Sequence, residues 1–321
     1  MNEASIDADF DSRLLARLEH PVCPVDVVLD TDTANEVDDQ YALAYLLRSD
    51  DRLCTQAIYA APFFDRTRRF GNFASDSAED GMEKSWREIH TILSLMERHD
   101  LGSRVFKGSP RFLDGETTPV SSPAAEDLAA RAMAYTPEHP LYVICIGAIT
   151  NVASALLLNP DIAERIVIVW LAGHAHDWPD CIEFNLFEDV AASRVVMTSG
   201  AALVQVPCMG VVSAFAVTPL ELEHFLRGRN KLCDYLVEYT IGDTERTTRE
   251  TLWSRPIWDV TAVAWLLGGF MEDRITKAPC PTYDGRYTFA EDGRCIRYVY
   301  HIHRDRLFRD LFEKLSRVEK P

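Results

Sequence analysis

Five acidic side chains follow directly on a short apolar stretch near the start of the chain. The stretch is Val27–Leu29, and the acids after it are Asp30, Asp32, Glu36, Asp38 and Asp39. No Lys or Arg lies between Asp30 and Arg48. So many carboxylates at the end of a predicted strand raise one another's pKa and cost stability, unless a cation lies among them. The sequence therefore predicts a cation-binding site at this point.

The residue types in this cluster indicate which cation it would bind. It contains neither Cys nor His, and oxygen ligands alone favour a hard ion such as Ca²⁺ or Mg²⁺ over zinc. The alternative without a metal is a solvated acidic turn that caps a helix at Asp38 or Asp39. We favour the metal because Asp30 and Asp32 follow a strand that reads as buried, where carboxylates are poorly solvated.

A second candidate element is the turn Ile146-Gly-Ala-Ile-Thr-Asn151, which follows another apolar stretch. Gly147 would allow close backbone approach, so that a carbonyl here could reach a metal. Thr150 or Asn151 is placed to cap the helix that follows. Taken alone, this turn is explained by structure as readily as by function.

Two more elements carry carboxylates. In an extended Glu183-Phe-Asn185 segment, the acid and the amide point to one side, where they could grip adjacent sugar hydroxyls. Phe184 would then anchor the segment in the core, although a solvated edge strand would read similarly. Asp259 opens an apolar helix, where it could be an N-cap, a metal ligand or both.

Alternating apolar runs and helix-period segments must position these side chains. This alternation predicts an α/β fold with an open, mostly parallel sheet flanked by helices. Right-handed crossovers would bring the strand ends to one edge, where such folds bind ligands. The predicted strands are Val25–Asp30, Leu53–Tyr59, Leu141–Ile146, Arg165–Leu171 and Ala202–Val206. The predicted helices between them are Asp38–Arg48, Gly81–Arg98, Ala124–Tyr135, Asn151–Leu158 and Asp189–Thr198.

The C-terminal third is predicted to be a helical and hairpin appendage to this core. Its helices are Thr218–Arg227, Lys231–Thr248 and Asp259–Leu267, and its hairpin pairs Arg286–Ala290 with Cys295–His301. We predict a single domain over residues 1–321, with a flexible N-terminal segment at 1–20. The long polar segment Pro62–Gly81 is predicted to be a substrate lid, because its four Phe residues are unusual in disordered chain.

Composition excludes several classes of partner. The net charge of −17 argues against nucleic acid and anionic membranes. Eight Cys residues are scattered without a CxxC pair, which is typical of free thiols in a reducing compartment. Residues 1–20 do not read as a secretory signal, and no apolar run reaches membrane-spanning length. The expected location is the cytoplasm.

Taken in order, the four elements resemble the inosine–uridine-preferring nucleoside hydrolase family. The acidic cluster is similar to its N-terminal DxDxxxDD signature, residues 147–151 to its GxLTN turn, and residues 183–185 to its EFN motif. Asp259 resembles the late aspartate that closes the calcium site of the family. The resemblance spans residues 25 to 268, and its specificity lies in the ordered set of motifs rather than in any one of them.

The resemblance implies a Ca²⁺-dependent N-ribohydrolase that acts on a small riboside, with a homodimer or homotetramer as the expected assembly. The implied calcium ligands are Asp32, Asp39, Asp259 and the backbone carbonyl of Ile146. Asp32 would also be the base that takes a proton from the water attacking the anomeric carbon. The implied sugar-binding residues are Asp30, Glu183, Asn185 and Asp177, with Asp38 supporting the ring of acids.

Three departures from the family pattern bear on the site. The signature is two residues longer, so that Asn35 or Glu36 would protrude into the cavity. The Asn that the family carries after the second strand has no match here. Trp258 stands where many members carry a His that protonates the leaving base. Trp258 could stack on a purine, or His174 or His176 could donate the proton.

Two other functions fit parts of the sequence. Asp30-Thr-Asp32 matches the two aspartates of the DxDxT opening of haloacid-dehalogenase-type phosphatases, but Gly242-Asp-Thr244 does not follow a strand as their late acidic motif does. A catalytically impaired scaffold that binds a nucleoside or a sugar is the non-enzymatic alternative. The preferred base and sugar do not follow from the sequence.

Overall fold

The computed structural model of the chain describes residues 12–22, 24–64, 74–290 and 293–317. The strands are β1 Val25–Thr31, β2 Leu53–Ala60, β3 Val105–Lys107, β4 Leu141–Cys145, β5 Ile166–Leu171, β6 Ala202–Val206, β7 Ala216–Val217, β8 Arg255–Pro256, β9 Met271–Lys277, β10 Cys280–Pro281, β11 Tyr287–Thr288 and β12 Cys295–Ile302. The helices that position the site and cover the sheet are α1 Asp39–Leu47, α2 Ala78–Leu95, α3 Pro123–Arg131, α4 Thr150–Leu158, α5 Phe184–Glu188, α6 Val190–Thr198, α7 Pro219–Phe225, α8 Lys231–Thr247, α9 Val260–Leu267 and α10 Arg304–Leu315.

Eight strands form the central sheet, in the order β3-β2-β1-β4-β5-β6-β12-β9. All neighbouring pairs are parallel except β12 with β9, which is antiparallel. Strand order reverses at β1, which lies between β2 and β4. In open sheets of this kind, ligands bind in the crevice beyond the carboxyl ends of the strands at such a reversal.

Apolar side chains cover both faces of the sheet. Along β1, Val27 and Leu29 point into one buried cluster and Val28 into the other, as alternation along a strand requires. Helices α1, α9 and α10 contribute to the first cluster, and α3, α4 and α6 to the second. Burial on both faces explains the near-continuous Val, Ile and Leu content of β4 and β5.

The predicted open, mostly parallel sheet flanked by helices is confirmed. Each of the five predicted strands begins and ends within one residue of the observed bounds. Their apolar runs are long enough, and buried enough, for periodicity alone to identify them.

The predicted C-terminal hairpin has the wrong partner. β11 pairs with β10, whereas β12 pairs with β9 and with β6 of the main sheet. The last strands therefore extend the sheet instead of forming a separate hairpin. β9 went unpredicted because its sequence, MEDRITK, carries the charges typical of an exposed sheet edge.

The N-terminal segment is packed where the structure describes it. Leu14 and Leu18 are buried, and Arg17 Nη1 donates to the carbonyl of Ala163 at 2.9 Å. The flexible segment predicted over 1–20 is therefore wrong for residues 14–18, while residues 1–11 lie outside the described residues. The centre of the predicted lid, residues 65–73, also lies outside them. Across the described part of the chain, no helix combines the length and apolar character needed to cross a bilayer.

Helix α10 is expected to contribute as much stability as the helices nearer the site, because Leu311 is fully buried in the first apolar cluster. Leu311→Ala should lower the free energy of unfolding by about 2–5 kcal/mol, as other buried Leu→Ala changes do. Urea unfolding followed by circular dichroism measures this change. The matched control is Leu220→Ala on α7, where the side chain is 81% exposed and the expected change is within about 0.5 kcal/mol. Equal effects of the two substitutions would contradict the packing of α10.

Candidate active site

A cavity of about 240 Å³ opens at the carboxyl ends of the central strands. Asp32 reaches it just after β1, Ile146 just after β4, and Leu171 at the end of β5. Six acids line it, namely Asp32, Glu36, Asp38, Asp39, Glu183 and Asp259. The cavity therefore lies at the strand reversal, where the sheet topology places a ligand site.

Three buried aspartates meet where two helices begin. Asp38 and Asp39 lie at the start of α1, and Asp259 immediately precedes α9. One carboxylate oxygen from each lies within 4.8 Å of the others. Neither Asp38 nor Asp259 caps its own helix through its side chain. The capping alternative is therefore wrong, and Asp38 Oδ2 instead accepts from the backbone N–H of Asp259 at 3.2 Å, which ties the starts of the two helices together.

Asp32 lies beside this trio and is almost fully buried. Its Oδ2 has no hydrogen-bond partner within the described residues. A Cβ on Gly147 would lie 2.9 Å from Asp32 Oδ1, so only glycine lets the end of β4 pass this closely. Gly147 thus permits a close approach, as predicted, and the group it admits is the Asp32 side chain.

Burial raises the pKa of all these carboxylates. The pKa of Asp39 is raised to about 6, and that of Asp30 to about 7, chiefly by desolvation. Those of Asp32, Asp38 and Asp259 are raised well above the usual range by burial and by neighbouring carboxylates. Without a cation, several of these groups must hold protons.

The cation nearest to the cluster, within the described residues, is Arg255 on β8. Its Nη2 lies 2.8 Å from Glu36 Oε2, and its Nη1 lies 3.7 Å from Asp243 Oδ2. Its charge opposes the rise in the pKa of Asp38. Sequence reasoning missed Arg255, because more than two hundred residues separate it from Glu36 and no local pattern joins them.

The donor set fits a hard divalent ion. Carboxylate oxygens converge from Asp38, Asp39 and Asp259, and the unpartnered oxygen of Asp32 is close by. Oxygen-only ligation suits Ca²⁺ or Mg²⁺. The carbonyl of Ile146 accepts from Asn185 Nδ2 at 3.2 Å, and a carbonyl keeps a second lone pair for another partner.

The segment around Glu183 is not extended as predicted. Glu183 is the N-cap of α5, and its carboxylate accepts from the backbone N–H groups of Gly173, Asn185 and Leu186 at 2.8–3.0 Å. The turn into α5 rotates Phe184 out of the core, so that it is half-buried and lines the cavity. Glu183 and Asn185 also line the cavity, but Glu183 is held by backbone donors.

Asp30 lies behind the cavity and does not line it. Its Oδ1 accepts from Asn151 Nδ2 at 2.8 Å, and its Oδ2 has no partner within the described residues. Asn151 therefore supports Asp30 instead of capping α4, and Thr150 donates to Asp189 Oδ2 at 2.7 Å. The predicted contact between Asp30 and the sugar is not supported by this position.

Two other predicted residues are also away from the cavity lining. Asp177 is exposed on the surface. His176 lies among the rings of Tyr287, Phe289 and Tyr298, with Nε2 at 2.8 Å from Gln205 Oε1. The sequence placed both near the site because they follow β5, but the chain turns away after His174.

The remaining predicted residues do line the cavity. These are Asn35, Glu36, His174 and Trp258. The two-residue extension after Asp32 thus projects into the site, as predicted. His174 Nδ1 accepts the backbone N–H of Met209 at 3.4 Å, and burial lowers its pKa. Sequence reasoning missed Cys208 and Met209, which no motif singles out.

Acidification is expected to stabilise the protein when no metal is bound. Since the pKa values of Asp39 and Asp30 in the folded chain lie near 6 and 7, the folded state holds protons between about pH 4 and pH 7 that the unfolded state releases. Stability therefore falls as pH rises through this range. Thermal unfolding in the presence of a chelator, from about pH 5 to about pH 8, should show the midpoint falling with pH.

Asp30→Asn isolates one contribution to this pH dependence. It retains an oxygen for Asn151 but removes one titrating carboxyl, so the slope should become shallower. Asp161→Asn, at an exposed position, should leave the slope unchanged. A midpoint that rises with pH, or a slope that Asp30→Asn does not alter, would contradict burial as its cause.

Comparisons with known proteins agree with this fold. A family model described as inosine-uridine preferring nucleoside hydrolase matches residues 71–302. The pyrimidine-specific ribonucleoside hydrolase RihA of Klebsiella pneumoniae (strain 342) is 25% identical over 252 residues, covering 68% of this chain and 77% of the relative. Among solved structures, the plant nucleoside hydrolase PpNRh1 matches with a TM-score of 0.70 at 21% identity, covering 92% of this chain and 100% of that one. A purine-preferring ribonucleoside hydrolase from Gardnerella vaginalis matches with a TM-score of 0.71 at 18% identity, covering 91% and 98%. The chain therefore belongs to the inosine-uridine preferring nucleoside hydrolase family and is a hydrolase that acts on N-glycosyl bonds.

Proposed function

We propose that the protein is a Ca²⁺-dependent N-ribohydrolase in which Asp32 is the general base. The observation that carries this proposal is the convergence of Asp38, Asp39 and Asp259 beside the unpartnered oxygen of Asp32. The family match begins at residue 71, so the roles of these N-terminal acids rest on their geometry and on the motif resemblance.

Asp38, Asp39, Asp259 and Asp32 would hold the ion, with the carbonyl of Ile146 available as a further ligand. A bound Ca²⁺ would supply positive charge that stabilises the ionised carboxylates and favours deprotonation of a nearby water. The family resemblance implied only a supporting role for Asp38. We include it among the ligands because one of its carboxylate oxygens belongs to the trio. Because the bound cation offsets their repulsion, the acids would ionise at neutral pH.

Asp32 is suited to accept the proton of the attacking water. Its Oδ2 is buried and unpartnered within the described residues, and a carboxylate within hydrogen-bond reach of the attacking water can accept its proton. The water attacks the anomeric carbon as the bond to the base nitrogen breaks, and the sugar gains oxocarbenium character. The surrounding carboxylates stabilise this positive charge.

Asn185 and Glu183 line the cavity and would orient the sugar. Asn185 Nδ2 is held by the carbonyls of Ile146 and Leu171, which leaves its Oδ1 as the acceptor for a hydroxyl. Trp258 is half-buried at the cavity and offers an aromatic face to a base.

The named relatives differ in base preference, one being pyrimidine-specific and another purine-preferring, so we assign no single base. A cytoplasmic location is supported by the described cysteines, all of which are free. A homodimer or homotetramer stays a prediction.

Asp32→Asn is expected to lower kcat on a cleaved riboside by on the order of 10²–10⁴, the usual contribution of a general base. Release of reducing sugar from purine and pyrimidine ribosides measures this, with chelator and with added Ca²⁺. Wild-type turnover should be lost with chelator and restored by Ca²⁺. Circular dichroism should show that the variant retains its fold.

The control for this experiment is Asp114→Asn, where the carboxylate is 84% exposed and pairs with Arg111. It should turn over as the wild type does. Undiminished turnover of Asp32→Asn would refute the assigned base, and turnover that chelator does not affect would refute the metal requirement.

A further inference from the structure

Two buried threonines lie beside the acidic cluster, and the reaction proposed above does not use them. Thr31 is the last residue of β1, and Thr33 follows two positions later. Both are 0% exposed, and neither is among the described residues that line the cavity. A role in the reaction must therefore be exerted through another residue.

The burial of these hydroxyl groups calls for a reason. A buried hydroxyl is costly unless it is hydrogen-bonded, whereas valine has a similar branched shape and no polar group to desolvate. β1 carries valine at three of its earlier positions, 25, 27 and 28. Threonine at both of the later positions therefore points to a use for the hydroxyl groups themselves.

The two hydroxyls form a chain that ends on a proposed metal ligand. Thr31 Oγ1 donates to Asp39 Oδ1 at 2.6 Å, and the Oγ1 atoms of Thr31 and Thr33 are hydrogen-bonded at 2.8 Å. A hydroxyl has one proton to donate and lone pairs with which to accept, so Thr31 can make both bonds at once. Thr33 thus orients the hydroxyl of Thr31, and Thr31 orients the carboxylate of Asp39.

A second contact anchors the same turn. Gln40 Nε2 donates to the backbone carbonyl of Thr33 at 2.8 Å, and Gln40 follows Asp39 in the first turn of α1. The end of β1 and the start of α1 are therefore joined at two points. Because Asp32 lies between the two threonines in the chain, the same contacts hold the spacing between Asp32 and Asp39.

We propose that Thr31 and Thr33 are positioning residues, which hold the Asp39 carboxylate in the orientation that binds a divalent cation. The inference rests on the proposed metal site and adds two residues that do not themselves bind the ion. A carboxylate has about four lone-pair sites, so the hydrogen bond from Thr31 restricts rotation of Asp39 and still leaves sites for a cation. Hydrogen-bond partners of metal ligands commonly account for about 10- to 100-fold in metal affinity.

Calcium binding to the metal-stripped protein, measured by isothermal titration calorimetry, tests this role. Thr31→Val removes the hydroxyl but keeps the branched shape, and it should raise the Kd for Ca²⁺ by about 10- to 100-fold. Thr31→Ser removes only the methyl group. It should bind Ca²⁺ nearly as tightly as the wild type, because the hydrogen bond to Asp39 is retained.

Thr33→Val tests whether the two threonines act in one chain. Alone, it should raise the Kd by at least about threefold, and by less than Thr31→Val does, because Asp39 keeps its own hydrogen bond. Added to Thr31→Val, it should cause no further loss, since Thr33 acts through Thr31. Losses that add in the double variant would overturn the chain of contacts.

Thermal unfolding in the presence of a chelator separates positioning from stability. A purely structural role of Thr31 would lower the unfolding midpoint of the metal-free protein and leave the Kd unchanged. The matched control is Thr288→Val on β11, which removes an exposed hydroxyl that donates to the carbonyl of Cys280. This control should bind Ca²⁺ as the wild type does. Should Thr31→Val not fold, the rise in Kd of Thr33→Val carries the test.

Two outcomes distinguish failure of the inference from failure of the metal site. A Kd that neither valine variant changes, with Ca²⁺ still bound by the wild type, would overturn the positioning role and leave the metal site intact. Absence of Ca²⁺ binding by the wild type would overturn the proposed function itself, together with the inference.

Discussion

Repulsion among buried carboxylates is the constraint on which the site depends. Asp38, Asp39 and Asp259 bring oxygens within 4.8 Å of one another in a place that water hardly reaches. At such distances and at low dielectric, each pair of ionised groups opposes folding by several kcal/mol. The chain tolerates this arrangement either by holding protons on these groups or by binding a cation. Their raised pKa values and the proposed Ca²⁺ site are therefore two consequences of one geometry.

The strand order of the sheet brings these acids together. Reversal of strand order at β1 opens a crevice between the ends of β1 and β4, and the helices α1 and α9 both start at its floor. Gly147 lets the end of β4 pass close to Asp32. Arg255 neutralises Glu36 at the rim instead of entering the centre.

Local sequence patterns were enough to predict the strands of the core. They were less informative about contacts between residues that are distant in sequence. The strands from Val25 to Val206 were found because buried runs of Val, Ile and Leu leave a clear signal. β9 was not predicted because edge strands carry charged side chains. The pairing of β12 with β9 was not predicted because no local pattern identifies the partner of a strand. Glu183 was misplaced because the start of a short helix reads like an extended segment. Asn151, His176 and Arg255 show the same limit, since their hydrogen-bond partners come from elsewhere in the chain.

Calcium binding by the metal-stripped protein, followed by isothermal titration calorimetry, tests the central claim most directly. The geometry predicts one ion per chain, and it predicts that Asp259→Asn and Asp38→Asn each weaken binding by at least about tenfold, since removing a charged ligand from a hard-ion site is costly. The exposed Asp161→Asn control should bind as the wild type does. Absence of binding, or binding that neither site variant weakens, would contradict the account that these buried acids form a cation site.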